Sequence, residues 1–390
     1  MKIKSLKIEG IGGIKNLHVE FDANMNIICG PNGIGKTTIL ECIAHSFSTQ
    51  NSNILKRNVS SHSGSFQSII DIDGQEFSSN ININDFTPDK ASRINGLHQH
   101  ANKLLSLKVN RSFEYQSLNA VGKDIDKDAY SMYQEAKSGI NIHEVKNWFV
   151  NRYLYSAHEG ALTEAQIHNL NLAKKCFSLL NDDFSFSKVL ASSNEIMINT
   201  PNGEIYYEYL SSGFKSCLSI IFGIIKDIEF RFKNAEIKAD DFDGIILVDE
   251  LELHLHPEWQ AKIADILVEV FPAVQFITST HSPHILQNAK PNQIVALSVD
   301  NGNVFSRKLE FNEYGFQGWT VEEVLMDVMG MVDTKTELYQ CKLLEFETAI
   351  KMNDYHIASL AFNDLDALLH PENILRKLLK FELASISEAK

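Results

Sequence analysis

The chain has 390 residues, 44% of them apolar and 22% charged, a composition typical of a globular protein with a sizeable core. Its formal net charge of −14 excludes a surface that is basic throughout, so any nucleic-acid contact would need a local patch. The sequence has no apolar run long enough to cross a bilayer, and MKIKSLKIEG lacks the apolar core of a signal peptide. We therefore expect a cytoplasmic protein that does not contact the membrane.

The cysteines and the basic residues are both scattered. The five cysteines show no C-x-x-C spacing, which predicts neither a zinc site nor a disulfide framework. Because the cations are dispersed, we interpret them as ordinary solvated charges and not as a nucleic-acid-binding patch. A basic patch formed on oligomerisation remains an alternative. The cations considered are Arg93, Lys103, Lys108, Arg111, Lys146 and Arg152.

The first part of the chain is predicted to be rich in strands. Residues 25–29 are an apolar run typical of a buried strand, and residues 39–47 have the apolar spacing of a helix. The Ser- and Asn-rich stretch 49–64 is predicted to be exposed, and Asp73-Gly74 predicts a type I′ hairpin turn. The strands expected here are 2–8, 17–21, 25–29, 66–72, 75–78, 81–83 and 104–109. They suit an antiparallel side-sheet beside a parallel core.

The second part is predicted to be mainly helical, with a few buried strands. Pro257 stands at the first position of a helix, where proline is favoured. The helices expected are 142–155, 164–180, 211–232, 258–271, 321–329, 336–352 and 355–369. The strands expected are 196–198, 204–207, 245–248, 274–278 and 293–298.

A phosphate-binding loop follows the strand at 25–29. The segment CGPNGIGKTTIL fits G-x-x-x-x-G-K-[ST], and a helix follows it. Glycines let successive N–H groups point inward, while the helix directs its positive end at the phosphates. We expect Lys36 at the β- and γ-phosphates and Thr37 on Mg²⁺. The residues predicted to hold nucleotide are Gly30, Pro31, Asn32, Gly33, Ile34, Gly35, Lys36, Thr37 and Thr38.

An acidic pair ends the apolar strand at 245–248, an arrangement typical of a Walker B motif. Asp249 is placed to hold Mg²⁺. Glu250 is placed to orient and polarise the attacking water, because phosphoryl transfer needs positioning and charge more than covalent help. Four apolar residues before two acids are a weak signal alone, and the phosphate loop is what makes it specific.

Three further segments complete the predicted site. Ser211, Ser212 and Gly213, in LSSG, begin a helix whose N-terminus could receive a γ-phosphate. Taken alone, the segment is an ordinary serine-capped helix start, and its place between the phosphate loop and the acidic strand end favours the phosphate role. His281 follows a strand in TSTHSP and could hydrogen-bond a γ-phosphate. Gln116 could contribute to the metal site, with an ordinary loop glutamine as the alternative.

These motifs in this order resemble the ABC-ATPase head shared by SMC, RecF and OLD-family proteins. The strings DELELHLHP and STHSPHIL are most similar to OLD-like ATPases of bacterial anti-phage systems, a class that includes ATPases of the Septu and PARIS systems and of retrons. The LSSG segment departs from the family pattern, since Phe214 follows Gly213 and the usual glutamine is missing.

The resemblance implies an α/β P-loop NTPase fold that uses ATP and Mg²⁺ and pairs its heads, so that LSSG of one chain closes on the nucleotide of the other. It implies catalytic roles for Lys36, Glu250 and His281. The division it suggests is an N-terminal ATPase lobe with β-hairpins (1–122), a helical insertion (123–190), a C-terminal ATPase lobe (191–318) and a helical extension (319–390).

The segment beyond Trp319 is predicted to be helical, so the Toprim nuclease domain of OLD proteins does not fit there. About 175 residues between the phosphate loop and LSSG are too few for SMC coiled-coil arms. We therefore expect an ATPase in a homo-oligomer of paired heads that regulates a separate effector, a nuclease, in phage defence, with nucleic acid reached through that complex. Two alternatives stay open: a RecF-like DNA-repair ATPase, and a scaffold that turns ATP over slowly.

Overall fold

The computed structural model describes residues 1–111, 115, 117–233, 235–309 and 312–387. The chain forms two compact units, Met1–Gly330 and Met331–Lys390. Among the described helices, none is both long and apolar enough to cross a membrane. Gln116, predicted as a metal-site residue, lies outside the described residues.

The described strands and helices follow the sequence in this order. The strands are β1 Lys2–Ile11, β2 Ile14–Glu20, β3 Met25–Cys29, β4 Thr49–Ser52, β5 Gly64–Ile72, β6 Gln75–Ile83, β7 Ser92–Asn95, β8 Leu104–Leu107, β9 Ser185–Val189, β10 Ile196–Thr200, β11 Gly203–Tyr206, β12 Ile245–Val248, β13 Gln275–Ser279, β14 Ile294–Asp300 and β15 Asn303–Arg307. The helices are α1 Lys36–Ser46, α2 Ala129–Ser138, α3 Val145–Tyr155, α4 Glu164–Leu180, α5 Ser212–Arg231, α6 Pro257–Gln260, α7 Ile263–Val270, α8 Pro283–Asn288, α9 Val321–Glu323, α10 Glu337–Lys351, α11 Tyr355–Leu368 and α12 Ile374–Ser387.

A six-stranded sheet, in the order β15-β14-β3-β13-β12-β8, forms the centre of the first unit. All its neighbouring strands pair in parallel except β14 and β15. Strands β3, β8, β12 and β13 are buried along their whole length, as parallel strands covered on both faces must be. The carboxyl ends of these four strands therefore meet at one edge, where ligands bind in open α/β sheets.

An antiparallel sheet of β2-β1-β5-β6 lies beside the central one. The apolar face of β1 and β5 shares a core with helix α1 and with Ile28 and Leu297 of the central sheet. Asp73 and Gly74 have φ angles of 52° and 83°, the left-handed pair that a type I′ turn requires. The predicted side-sheet and its hairpin turn are confirmed.

Helices α3, α4 and α5 cover the opposite side of the central sheet with an aromatic core. Phe149 stacks on Phe222 with ring centroids 5.4 Å apart, and Phe177 meets Phe222 edge-on at 5.8 Å. Thr163 and Gln166 form a capping box that starts α4, and α4 occupies the predicted residues 164–180. The predicted long apolar helix is confirmed as α5, which is buried over most of its length.

Several predicted elements differ from the structure. The single helix predicted for 258–271 is two helices, α6 and α7, with Ala261 and Lys262 between them. The stretch 49–64 was expected to be exposed, but Leu55 and Asn58 are buried there. The Asn58 amide donates to the Gly12 carbonyl at 2.7 Å, so this polar side chain satisfies a main-chain acceptor of the turn between β1 and β2. Strands β4, β7, β9 and β15 and helix α8 were not predicted, and helices α2 and α12 were predicted only as parts of the helical regions 123–190 and 319–390.

The interpretation of the dispersed cations as solvated charges is wrong for three of them. Arg111, Lys146 and Arg152 are 4%, 8% and 1% exposed. Arg152 is held by Glu229 and by both carboxylate oxygens of Asp124. Burial of these cations depends on partners distant in sequence, which charge spacing alone does not reveal.

The second unit consists of helices α10, α11 and α12, which pack around a small core of their own. Phe346, Leu365 and Leu379 are among its buried side chains. Thr336 caps α10 and Asp354 caps α11, each by accepting a main-chain N–H bond in the first turn. The predicted helices 336–352 and 355–369 are confirmed.

Buried His45 fixes the end of the phosphate-loop helix. Its Nδ1 lies 2.7 Å from the Glu41 carbonyl and its Nε2 2.8 Å from Oγ of Ser52, in β4. Nδ1 therefore donates to the carbonyl and Nε2 accepts from the hydroxyl. Burial lowers the pKa of His45 to about 4, so the ring is neutral in the folded protein.

We expect His45 to make stability fall as the pH drops from about 6.5 to about 4. In this window the unfolded chain binds a proton that the folded chain does not, a difference of up to about 3 kcal/mol. His45→Gln removes this contribution, so wild type should lose its stability advantage over the variant as the pH falls. Urea unfolding at several pH values measures this, and parallel pH profiles for the two proteins would contradict it.

Candidate active site at the carboxyl edge of the central sheet

The phosphate loop between β3 and α1 depends on three glycines. Gly30, Gly33 and Gly35 have φ angles of 141°, 75° and 108°, which other residues rarely adopt. A Cβ on Gly30 would lie 2.5 Å from the Leu297 carbonyl oxygen, and one on Gly35 would lie 2.8 Å from Cδ1 of Ile14. The loop is therefore tightly packed against its surroundings as well as specially shaped.

Lys36 begins helix α1 and is 5% exposed. Its ammonium donates to the carbonyls of Gly30 at 2.8 Å and Pro31 at 3.1 Å. Burial lowers the pKa of Lys36, and the nearby carboxylates oppose that shift. Gly35, the N-cap residue, has no side chain to occupy the first N–H groups of α1, so they can meet an anion.

Asp249 joins the phosphate loop to the end of β12. Its Oδ1 accepts from the Thr37 hydroxyl at 3.2 Å and from the Ser279 hydroxyl at 2.6 Å. The Asp249 N–H donates to the carbonyl of Leu107 at 2.9 Å, which ties the same residue to β8. The predicted Mg²⁺ residues Thr37 and Asp249 are thus brought together by the fold.

Glu250 has a left-handed backbone with φ 51°, which is uncommon for a residue with a side chain. Its N–H donates to Oγ of Ser279 at 2.8 Å, and its carbonyl accepts from Nη2 of Arg111 at 2.5 Å. Burial lowers the pKa of Arg111 to about 10, against the opposing effects of Asp249 and Glu252. The Glu250 main chain is consequently held on both sides.

Glu252 links the segment after β12 to His281. Its carboxylate accepts from the Thr280 hydroxyl at 2.7 Å and from the His281 N–H at 2.5 Å. The side chain of His281 is exposed. His281, predicted to hydrogen-bond a γ-phosphate, therefore lies next to the acidic strand end, on a segment whose backbone Glu252 fixes.

The LSSG segment begins α5 as a capped helix. Oγ of Ser211 accepts from the Phe214 N–H at 3.3 Å, and Ser211 and Ser212 are exposed. A Cβ on Gly213 would lie 2.8 Å from the Trp259 ring, so the start of α5 fits closely against α6. The hydrogen bond to Ser211 comes from its own helix, as serine capping predicts.

The residues at this edge fit a magnesium ion chemically. Asp249 and Thr37 offer a carboxylate and a hydroxyl oxygen, ligand types that Mg²⁺ prefers. Three carboxylates, from Asp249, Glu250 and Glu252, influence the pKa values of both Lys36 and Arg111. Negative charge therefore exceeds positive charge among these five residues, as a divalent-cation site requires.

Three residues of this edge were not assigned to the site from sequence. Ser279 could have been found, because it directly follows the predicted strand 274–278 just as Asp249 follows 245–248; in the structure Val248 pairs with Thr278. Glu252 is one acid among several in DELELHLHP. Arg111 lies four residues after β8 and far in sequence from the motifs, so no sequence pattern indicated a role for it.

Comparison with known proteins shows the family of the chain. Residues 25–287, more than half of the chain, match the family described as AAA domain, putative AbiEii toxin, Type IV TA system. Septu protein PtuA of Bacillus thuringiensis is 44% identical over 386 residues, covering 98% of each chain. The chain is a member of the PtuA family of AAA-domain proteins. The predicted resemblance to OLD-like ATPases of this class is thereby confirmed.

More distant relatives place the fold. Retron Ec83 probable ATPase of Escherichia coli is 33% identical over 122 residues, which cover 31% of this chain and 22% of that protein. The crystal structure of an SMC head bound to the C-winged helix domain of ScpA superposes with a TM-score of 0.50 at 15% identity, covering 80% of this chain and 98% of that one. The chain therefore has the α/β fold of an ABC-ATPase head, with antiparallel side-sheets and C-terminal helices, as predicted.

Proposed function

We propose that this PtuA-family protein binds and hydrolyses ATP between paired heads and thereby regulates a separate effector, a nuclease, in anti-phage defence. The observation that carries the ATPase part is the bond between Thr37 and Asp249, with Glu250 next in the chain. It joins a phosphate loop to an acidic strand end in an ABC-ATPase-like fold. We retain the division at 1–122, 123–190, 191–318 and 319–390 as part of the proposal.

In this proposal the phosphate loop binds the triphosphate. The first N–H groups of α1 and the ammonium of Lys36 meet the phosphates, and Pro31, Asn32, Ile34 and Thr38 line the same turn. Thr37 and Asp249 would hold Mg²⁺, which neutralises phosphate charge when bound. The Lys36 ammonium must share its bonds between the phosphates and the carbonyls that it now contacts.

Glu250 is the residue that we propose handles the attacking water. Its carboxylate orients the water and accepts its proton, while the fixed backbone sets the direction of the side chain. His281 senses the γ-phosphate from the segment that Glu252 anchors. On the basis of the family resemblance, we also propose that Gln116 contributes to the metal site.

The ATPase proposal predicts opposite defects in two variants. Lys36→Ala removes a charged donor and should weaken ATP binding by about 100-fold or more. Glu250→Gln should keep ATP binding, slow hydrolysis roughly 10²- to 10⁴-fold and increase the paired form. Equilibrium binding of a fluorescent ATP analogue, single-turnover hydrolysis and light scattering measure these effects. Normal hydrolysis in both variants would refute the proposal.

Paired heads require that Ser212 acts on the nucleotide of another chain. Lys36→Ala and Ser212→Arg should each be inactive alone, because every site then lacks one component. A mixed pair contains one site with both components intact, so mixing the variants should restore about a quarter of wild-type hydrolysis if pairing is random. Mixing Lys36→Ala with Glu250→Gln is the matched control, since both changes lie in the same chain's half of a site. Activity in neither mixture would argue against a shared site.

Support for a separate effector comes from the family and from the described C-terminal unit. The chain is similar to a protein named for the Septu system over nearly its whole length, and to a retron ATPase over part of it. The described residues after Gly330 form helices, without the alternating strands of a Toprim domain. We therefore assign DNA cleavage to a partner protein encoded in the same operon.

The effector proposal predicts that cleavage depends on the nucleotide state of the heads. The protein should be purified together with the product of the gene adjacent to its own, as wild type, Lys36→Ala or Glu250→Gln. DNA cleavage should differ by about tenfold or more between the ATP-trapped and the nucleotide-free complex, equivalent to roughly 1.4 kcal/mol of coupling. Equal cleavage by all three complexes would show that the heads do not regulate it.

A further inference from the structure

We propose that Arg111 is a positioning residue for hydrolysis, whose guanidinium fixes the main chain of Glu250 and so directs its carboxylate. This inference rests on the proposed ATPase function and deepens it. It assigns a role to a cation that belongs to none of the sequence motifs.

The backbone of Glu250 needs external support. A left-handed conformation is unfavourable for a residue with a side chain. At φ 51° Glu250 is held by the hydroxyl of Ser279 on its N–H and by Nη2 of Arg111 on its carbonyl. The Leu253 N–H shares that carbonyl at 2.9 Å, so a tight turn closes directly after the catalytic carboxylate. Loss of one of these hydrogen bonds would let the direction of the Glu250 side chain vary.

Arg111 differs from the other deeply buried arginines. The guanidinium groups of Arg152 and Arg231 donate through Nε and both terminal nitrogens to carboxylates or carbonyls. Nε and Nη1 of Arg111 are buried without a hydrogen-bond partner among the described residues. Burying such groups without a partner is unfavourable, so the arrangement does not serve stability through hydrogen bonding alone.

The position of Arg111 is set by the same strands that build the site. It follows β8, which pairs in parallel with β12, and its N–H donates to the Val109 carbonyl at 2.8 Å in a short turn. Arg111, Glu250 and Ser279 thus come from the ends of three adjacent strands. Residues held by such rigid elements can fix a catalytic carboxylate to within the small tolerance that hydrolysis needs.

The test compares hydrolysis with ATP affinity in single and double variants. Arg111→Gln should slow single-turnover hydrolysis by about tenfold or more, the loss expected from one charge-assisted hydrogen bond. The Kd of a fluorescent ATP analogue with Mg²⁺ should change by less than about threefold. In the Glu250→Gln background, Arg111→Gln should change the residual rate by less than about threefold, because its effect passes through the missing carboxylate.

Two further variants test whether the effect of Arg111→Gln comes from misfolding or from the loss of any buried arginine. Arg111→Lys keeps the charge and a donor, so it should hydrolyse ATP faster than Arg111→Gln. Its effect should also be non-additive with that of Glu250→Gln. If Arg111→Gln does not fold, Arg111→Lys decides the test. Arg152→Gln is the matched control, a buried arginine outside the site. Its effects on rate should multiply with those of Glu250→Gln. Radiolabelled ATP with excess enzyme, followed over hours, measures the slow rates.

Two results would overturn the inference. A fall in ATP affinity as large as the fall in kcat/KM, with the hydrolysis step unchanged, would make Arg111 a nucleotide or charge-balancing ligand. Multiplying effects of Arg111→Gln and Glu250→Gln would show that Arg111 acts independently of Glu250. Equal hydrolysis by wild type and Glu250→Gln would instead refute the proposed function itself.

Discussion

The hydrogen bonds that converge on Asp249 are the interactions on which the rest of the site depends. One carboxylate oxygen accepts from the hydroxyls of Thr37 and Ser279, while the Asp249 N–H donates to Leu107. These contacts join the phosphate-loop helix to the ends of β8, β12 and β13. A charged acceptor makes stronger hydrogen bonds than a neutral one. Because Asp249 is buried, water competes less for its two hydrogen bonds to hydroxyls. The geometry of the edge is therefore set by contacts within the protein.

The packing of the central sheet makes this convergence possible. Strands β3, β8, β12 and β13 are buried along their whole length and covered on both faces, so their register and direction are strongly determined. The polar residues of the site lie where these strands end, and parallel pairing places those ends together. The site is consequently a product of the core: substituting its apolar residues would move the polar residues relative to one another.

The sequence predicts the parts of this arrangement that depend on local pattern. The phosphate loop, the acidic end of β12, the Asp73-Gly74 turn and helix α4 each have a signal within a few residues, and the structure contains them. What the sequence does not predict are contacts between strand ends that are far apart in the chain. Arg111 and Glu250 are 139 residues apart, and Glu252 contacts a segment 28 or more residues later. The break between α6 and α7 was missed for a different reason, because apolar spacing continues across Ala261 and Lys262.

The two cations of the site share a feature that bears on catalysis. Lys36 and Arg111 donate to main-chain carbonyls, of Gly30, Pro31 and Glu250, rather than to the three nearby carboxylates in the hydrogen bonds of the described residues. In the proposed reaction, ion pairs with Asp249 or Glu250 would occupy the oxygens that the metal ion and the attacking water would need. Binding to carbonyls keeps both positive charges close enough to offset carboxylate repulsion while leaving those oxygens available. The same bonds shape the phosphate loop and the Glu250 turn, so charge balance and backbone geometry are set by one group of contacts.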